Sequence, residues 1–500
     1  MKQLSYIIPK ITLCQAQLTA MNNFGKLGSY DMASFTKFWN PFKHDFLTLT
    51  SKHKNTLILL FLIGFLARFI NFFHLGFVYD LVTTQYDWAK NATDNGFISF
   101  WRDYKGSLDY LPGAIYIGMA INYVSKFFGL FGIGGDEYGF VFILKVFNTL
   151  NDILFAYLLY FIGKKYTRID GLRLFIPSII SFLLPSLWFI SSVWGQFDTF
   201  PVNLCIITTL LLYHARETSI VTFASVAGII YGFCFWFKLQ SILLFPPLIL
   251  FFITTKNIRI IKNFTATFLT TTIAMLIIPL LANANRTGFV IAQVVIRSNN
   301  VSNGASTFWP LVNMQKYGSD LWFSLGRLDI TASRVSYLVY ILALGYLMLQ
   351  IFPGIKKVVT KPKKWLSLVH SLPPLAFENF VYIMTISSSI YFFFFTKMMS
   401  RYLQFGFLFA LIALTLQTKA YRFKSLLGAI LVTEIGYFIN NAAIYSYWNN
   451  TSVWTEQFEN GFFGIGKVWL ASWFHLVGIA AIYYLIVSFA KNDNDKKGMN

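Results

Sequence analysis

Charge is scarce in this chain, and negative charge is scarcest. Of its 500 residues only 12% are Asp, Glu, Lys or Arg, while 56% are hydrophobic. A soluble domain carries about 25% charged residues. The deficit excludes an ordinary soluble enzyme and implies a polytopic membrane protein. Acidic residues number 21 against 41 basic ones, a net charge of +20. On a soluble protein that excess would point to nucleic acid. Here lysines and arginines in short loops orient membrane helices, and no nucleic-acid partner is implied. Cysteine is nearly absent: Cys14, Cys205 and Cys234 are scattered, without the spacing of a metal site or disulfide framework. No phosphate-cradling loop and no zinc motif occur, so no cofactor is required, no metal ligand is assigned and no divalent cation is indicated. No clear internal repeat is visible. The opening run "IIPKITLCQAQL" is short and interrupted by Lys10, unlike a signal peptide.

What is present is a series of apolar segments. A helix needs about 20 apolar residues to cross a bilayer. Candidates lie near 56–76, 139–163, 173–193, 199–214, 220–237, 241–255, 264–283, 335–352, 375–395, 402–417, 425–446 and 468–490. The stretch 111–131 could add another. If it crosses, "GKKYTRIDGLR" (163–173) faces outward with four basic residues. If it lies on the outer surface, that loop faces the cytoplasm. So do Arg216, the Lys256/Arg259/Lys262 loop, Lys356 to Lys364, Lys419/Arg422/Lys424 and the tail. The positive-inside rule favours the second arrangement.

The expected fold is an all-α polytopic membrane protein with about twelve spans, both termini cytoplasmic and a surface helix near 111–131. Its parts are a cytoplasmic arm (1–55), a membrane module (56–425) with outer loops 77–138 and 284–334, C-terminal helices (426–490) and a cytoplasmic tail (491–500).

This topology puts the polar strings between spans on the outer side: "YDLVTTQYDW", "LDYLPG", "VWGQFD", "FKLQS" and "TKMMSRYLQ". Asp80 lies just beyond the first span. A carboxylate there is either a solvated loop residue or a functional group kept in a cleft. Asp87, Asp94, Asp103 and Asp109 are rivals in the same loop. Lys145 and Asp152 lie within the second span on one helix face, where each charge costs roughly 2.5–3.5 kcal/mol on insertion scales. An interhelical polar contact suits Asp152 and Asn148, and Lys145 is a candidate functional cation. Asp198, with Gln196 and Trp194, sits at a helix start, where a capping role competes with a pocket role. Lys238 and Gln240 follow an aromatic run. Lys397 and Arg401 are four apart with Tyr402 alongside. Two cations at helical spacing on the outer side fit an anionic partner such as a lipid phosphate or headgroup. An outer carboxylate with outer cations suits removal of a hydroxyl proton while a departing phosphate is stabilised.

These strings, in order over about 75–425, resemble the GT-C superfamily of integral membrane glycosyltransferases. Within it they resemble the bacterial branch related to the second mannosyltransferase of GPI-anchor assembly. Asp80 is followed by Trp88-Ala89 and Gly96, as in that family's first outer loop. "DYLPGAIYI" resembles its Tyr-Pro-Pro-Gly stretch, with Leu111 for the first proline. "LKVFNTLNDIL", "VWGQFD" and "FKLQSILLFPPL" resemble its second span, its Trp-Gly-Gln-x-Asp string and its Lys-x-Gln…Pro segment. "TKMMSRYLQF" resembles its Lys-Met-His-Glu-Arg-Tyr-Leu, with Met399 and Ser400 in place of His and Glu.

The resemblance implies a monosaccharide, mannose or another hexose, moved from a polyprenyl-phosphate donor to an acceptor hydroxyl with inversion. The acceptor would be a glycan, glycolipid or polymer, and the site would lie on the outer face of the plasma membrane. It implies Asp80 as base. Lys145, Lys238, Lys397 and Arg401 are then candidate phosphate ligands. Asp87, Tyr110, Trp194, Gln196, Asp198, Gln240 and Tyr402 are candidates for the sugar or acceptor pocket. The competing readings are a flippase or transporter of lipids or lipid-linked sugars, and a surface-polysaccharide polymerase or ligase.

Overall fold

The computed structural model describes residues 41–106, 108, 110–132, 135–296, 307–311, 321–325, 328–352, 372–395, 398–448 and 467–497. Residues 1–40, Asp109, the Lys356–Lys364 loop, Lys397 and stretches of 284–334, expected as an outer loop, lie outside the described residues.

The chain is mostly helical. After a short helix, α1 (41–48), comes α2 (Ser51–Phe69), whose cap Thr50 accepts a hydrogen bond from the His53 N–H. A continuous helical run, α3 (78–94), has a π-turn at Leu81–Tyr86. It is followed by α4 (Phe97–Asp103) and α5 (Pro112–Gly129). Asp136 caps α6 (Glu137–Tyr166) by accepting from the Gly139 N–H at 3.0 Å. Next, α7 (Leu172–Leu183) breaks at Leu184 because Pro185 cannot donate to the preceding turn. The chain resumes at a 48° bend as α8 (Pro185–Trp194), which is π-helical over Phe189–Trp194.

Beyond it lie α9 (Thr199–Thr218), α10 (Val221–Phe237), α11 (Leu239–Thr255), α12 (Ile258–Ile296), α13 (Ala332–Ile351), α14 (Phe377–Phe394), α15 (Ser400–Thr415), α16 (Ala420–Trp448) and α17 (Lys467–Lys497). The strand pairing among the described residues is an antiparallel hairpin, β1 (Leu321–Leu325) with β2 (Leu328–Thr331), between α12 and α13.

Each apolar segment read from the sequence falls on a helix, or at 172–194 on the bent pair. Among the described residues five helices, α6, α12, α13, α16 and α17, are long and apolar enough to cross a membrane, and six with the bent pair counted as one. Helix α5 is not among them. Its buried residues Ala114, Ile115, Gly118, Ile121, Asn122 and Ser125 recur at helical spacing and form one inward face.

Helices α14 and α15 form the centre. Every residue of Gln404–Thr415 is buried, as an apolar helix surrounded by others must be. Helix α12 is the opposite case: its apolar window is 11% buried, and Leu269, Ile273 and Ile277 face outward, as lipid contact requires. Asp152, a charge inside the bundle, has a cation partner. Arg68 Nε donates to Asp152 Oδ2 at 2.8 Å, and Thr199 Oγ1 donates to Asp152 Oδ1 at 2.9 Å, the interhelical contact expected of Asp152.

Candidate functional site

Two chain segments meet to place Asp80. The first leaves α2 through a turn whose Asn71 and His74 carbonyls accept from Lys145 Nζ at 2.8 and 2.6 Å. It then passes Gly76, where φ is +74° and a Cβ would lie 2.6 Å from the Val193 carbonyl. Phe77 donates its N–H to the Trp194 carbonyl at 3.5 Å, and the helix restarts with Asp80 in its first turn. The second segment is the end of α8. Gly195 adopts φ +87°, and its N–H and that of Gln196 both donate to the Ile190 carbonyl, at 3.0 and 2.9 Å. A Cβ at Gly195 would stand 2.6 Å from Leu81 Cδ1. Only glycine meets both demands, a left-handed backbone and a backbone-on-side-chain approach.

With the segments so joined, three donors converge on one oxygen. Trp194 Nε1, Gln196 Nε2 and Arg401 Nη1 donate to Asp80 Oδ2 at 3.2, 3.0 and 2.7 Å. Arg401 comes from a 3-10 turn, Ser400–Leu403, at the head of α15. Asp80 Oδ1 takes no hydrogen bond among the described residues. The Asp80 side chain is 16% exposed and Arg401 only 2%. The carboxylate is therefore gripped from behind through one oxygen and open in front through the other.

A second tier supports the first. Tyr110 donates to Gln196 Oε1 at 3.1 Å and accepts from Arg401 Nη2 at 3.3 Å. The Arg401 guanidinium lies 5.5 Å from the Trp194 ring centre, and its Nε is 4.0 Å from Asp198 Oδ2. Asp198 forms a buried ion pair with Lys238, whose ammonium is 5.8 Å from the Tyr402 ring centre. Asp198 occupies the N-cap position of α9, yet its side chain makes no cap bond. The capping role therefore gives way to the ion pair. Two carboxylates and two cations bring the formal charge of the cluster to zero. Removal of one partner from such a pair typically costs about 3–5 kcal/mol, because it strands a buried charge.

The structure thus brings Asp80, Tyr110, Trp194, Gln196, Asp198, Lys238, Arg401 and Tyr402 together. Lys145 is elsewhere engaged: fully buried, it fastens the end of α2 through two carbonyls. Asp87 accepts from Tyr104 Oη at 2.6 Å and from Asn91 Nδ2 at 2.9 Å, and so braces α3 against the end of α4. Burial and that hydrogen bond push the Tyr104 phenol above its ordinary range. Gln240 is half-buried in the 3-10 turn that opens α11. Lys397 lies outside the described residues.

Sequence reasoning missed a second set. Gln404 Nε2 donates to Thr199 Oγ1 at 2.9 Å, which continues the polar contacts to Asp152 and Arg68. Arg68, a cation at the end of an apolar helix, was the available signal. The chain matches no family model and no curated protein.

Proposed function

We propose that the protein is a membrane glycosyltransferase of the GT-C kind. It moves a monosaccharide from a polyprenyl-phosphate donor to an acceptor hydroxyl at the outer membrane surface. The observation that carries this reading is the Asp80 carboxylate, gripped through Oδ2 and open through Oδ1. In the proposed step, Asp80 Oδ1 takes the proton of the acceptor hydroxyl. The hydroxyl oxygen bonds to the anomeric carbon from the face opposite the phosphate. The carbon–phosphate-oxygen bond breaks, and polyprenyl phosphate leaves with the electron pair, so the configuration inverts. A positioned base of this kind contributes about 10²–10⁴-fold.

Arg401 holds the base in place through its bond to Asp80 and is a cation beside the developing phosphate charge in this reading. Lys238, neutralised by Asp198, shapes the pocket wall in this reading, and Lys145 has no part in it. Trp194 and Tyr110, both buried, act in this reading by holding Asp80, Gln196 and Arg401 in place. Loop charge supports twelve crossings, cytoplasmic termini and an outward-facing site.

A flippase or transporter is the second reading. The buried polar series from Gln404 through Thr199 and Asp152 to Arg68 favours it, since intramembrane polar chains often mark transport paths. Proteoliposomes offered a panel of polyprenyl-phosphate monosaccharides and glycan or glycolipid acceptors separate the two. Sugar appearing on the acceptor with free polyprenyl phosphate supports transfer. Movement of labelled donor between leaflets with no new glycosidic product would overturn it.

A further inference from the structure

We propose that α16 positions the Asp80 site, and that Glu434, which lies beyond the stretch of family resemblance, is its principal positioning residue. The inference rests on Asp80 being catalytic and adds the device that aims it.

The break at Leu184–Pro185 creates a new helix N-terminus inside the bundle. The first N–H groups of such a terminus have no partner within the helix. Pro185 has none to satisfy, and Leu187 and Trp188 reach back to the Leu184 carbonyl at 3.2 and 3.4 Å. Ser186 has no such carbonyl. Glu434 supplies the acceptor: Oε1 takes the Ser186 N–H at 2.7 Å and Oε2 takes the Ser186 hydroxyl at 2.5 Å. A carboxylate is also the charge that a helix N-terminus favours.

The same face of α16 reaches the rest of the site. Tyr437 donates its hydroxyl to the Arg401 carbonyl at 3.1 Å. The Phe438 and Tyr445 rings lie 5.8 and 5.4 Å from Phe189, and Tyr445 is 6.2 Å from Phe77 and 6.4 Å from Trp194. One helix therefore touches the start of α8, its π-turn, the turn that bears Arg401 and the residue that precedes α3. It is held rigidly from behind. A Cβ at Gly436 would lie 2.8 Å from the Ala471 carbonyl, and one at Gly478 would lie 2.8 Å from the Thr433 nitrogen, so α16 and α17 are in backbone contact. Glu434 touches no reacting atom. It acts through α8, which delivers Trp194 and Gln196 to Asp80. A merely structural carboxylate would lower stability without selectively loosening α8.

The test uses the full-length protein with Glu434→Gln and Glu434→Leu. The glutamine keeps an acceptor for the Ser186 N–H, and the leucine keeps none. Amide hydrogen exchange across 186–197 should rise about tenfold or more in Glu434→Leu and stay near wild type in Glu434→Gln, with 404–412 unchanged in both. The kcat of Glu434→Leu should fall about tenfold or more at nearly constant donor KM, since misplacement by about 1 Å costs that much. Glu434→Gln should restore it. Unchanged exchange at 186–197, or a rise shared equally by 404–412, would overturn the proposal. Should Glu434→Leu not fold, Tyr437→Phe removes a single hydroxyl. A lowered kcat at constant KM supports the proposal and an unchanged kcat contradicts it. If wild-type protein shows no transfer at all, the catalytic reading falls, while the exchange pattern still decides the positioning role.

Discussion

At the scale of single residues, the site is built from buried pairs with no surplus charge. Asp80 faces Arg401, and Asp198 faces Lys238. Lys238→Met should strand the Asp198 carboxylate and destabilise the protein by about 3–5 kcal/mol. Adding Asp198→Asn removes the stranded charge and should recover most of that loss. Thermal unfolding of the purified single and double variants measures the coupling, and purely additive losses would show that the pair is not one unit. The residue types are legible in the sequence, because Asp, Gln, Lys and Arg are costly beside apolar spans and so stand out. Their pairing is not. Asp80 and Arg401 are 321 positions apart, and nothing local in either string names the other. Lys145 is legible only in part for a related reason: depth and charge are visible in a sequence, but the carbonyls of Asn71 and His74 that accept from the ammonium are not.

At the scale of elements, the site depends on helices that stop. The α7–α8 break, the π-turn that ends at Trp194 and the left-handed Gly195 together turn polar side chains inward where a straight span would carry apolar ones. Gly195→Ala would need a strained backbone, about 1–3 kcal/mol, and would also press a methyl group against Leu81. It should lower the unfolding temperature and reduce transfer, and it should cost less in a Leu81→Ala background, where the methyl group has room. Equal costs in the two backgrounds would show that the Gly195–Leu81 contact has no part in the effect. The "WGQFD" string shows in the sequence that a helix is interrupted. The partner that completes the interruption, Glu434, is 248 residues from Ser186 and reads locally as one polar residue in an apolar helix.

At the scale of the whole molecule, transfer at the outer surface needs the Asp80 end of the bundle to face outward and the 163–173 loop to face inward. Tyr79, 59% exposed, and Asp170, 80% exposed, mark the two sides. In intact cells a membrane-impermeant maleimide should label Tyr79→Cys directly and Asp170→Cys only after lysis; the reverse pattern would invert the topology. The helical, membrane-embedded character of the chain is plain from composition and periodicity, because lipid contact leaves long apolar faces such as that of α12. The bundle's internal order is less so, since interior helices such as α15 are apolar all round and carry no face that names a neighbour.

If Asp80 is the base of a sugar-transfer reaction, transfer must depend on its ability to take a proton. Asp80→Asn preserves shape and lets the amide oxygen accept the bonds from Trp194, Gln196 and Arg401, but it cannot take a proton. Purified Asp80→Asn protein, compared with wild type for membrane insertion, unfolding temperature and transfer from a polyprenyl-phosphate sugar, should insert and fold. Its turnover should drop by about 10²–10⁴-fold. Near-normal turnover by the folded variant would contradict the account.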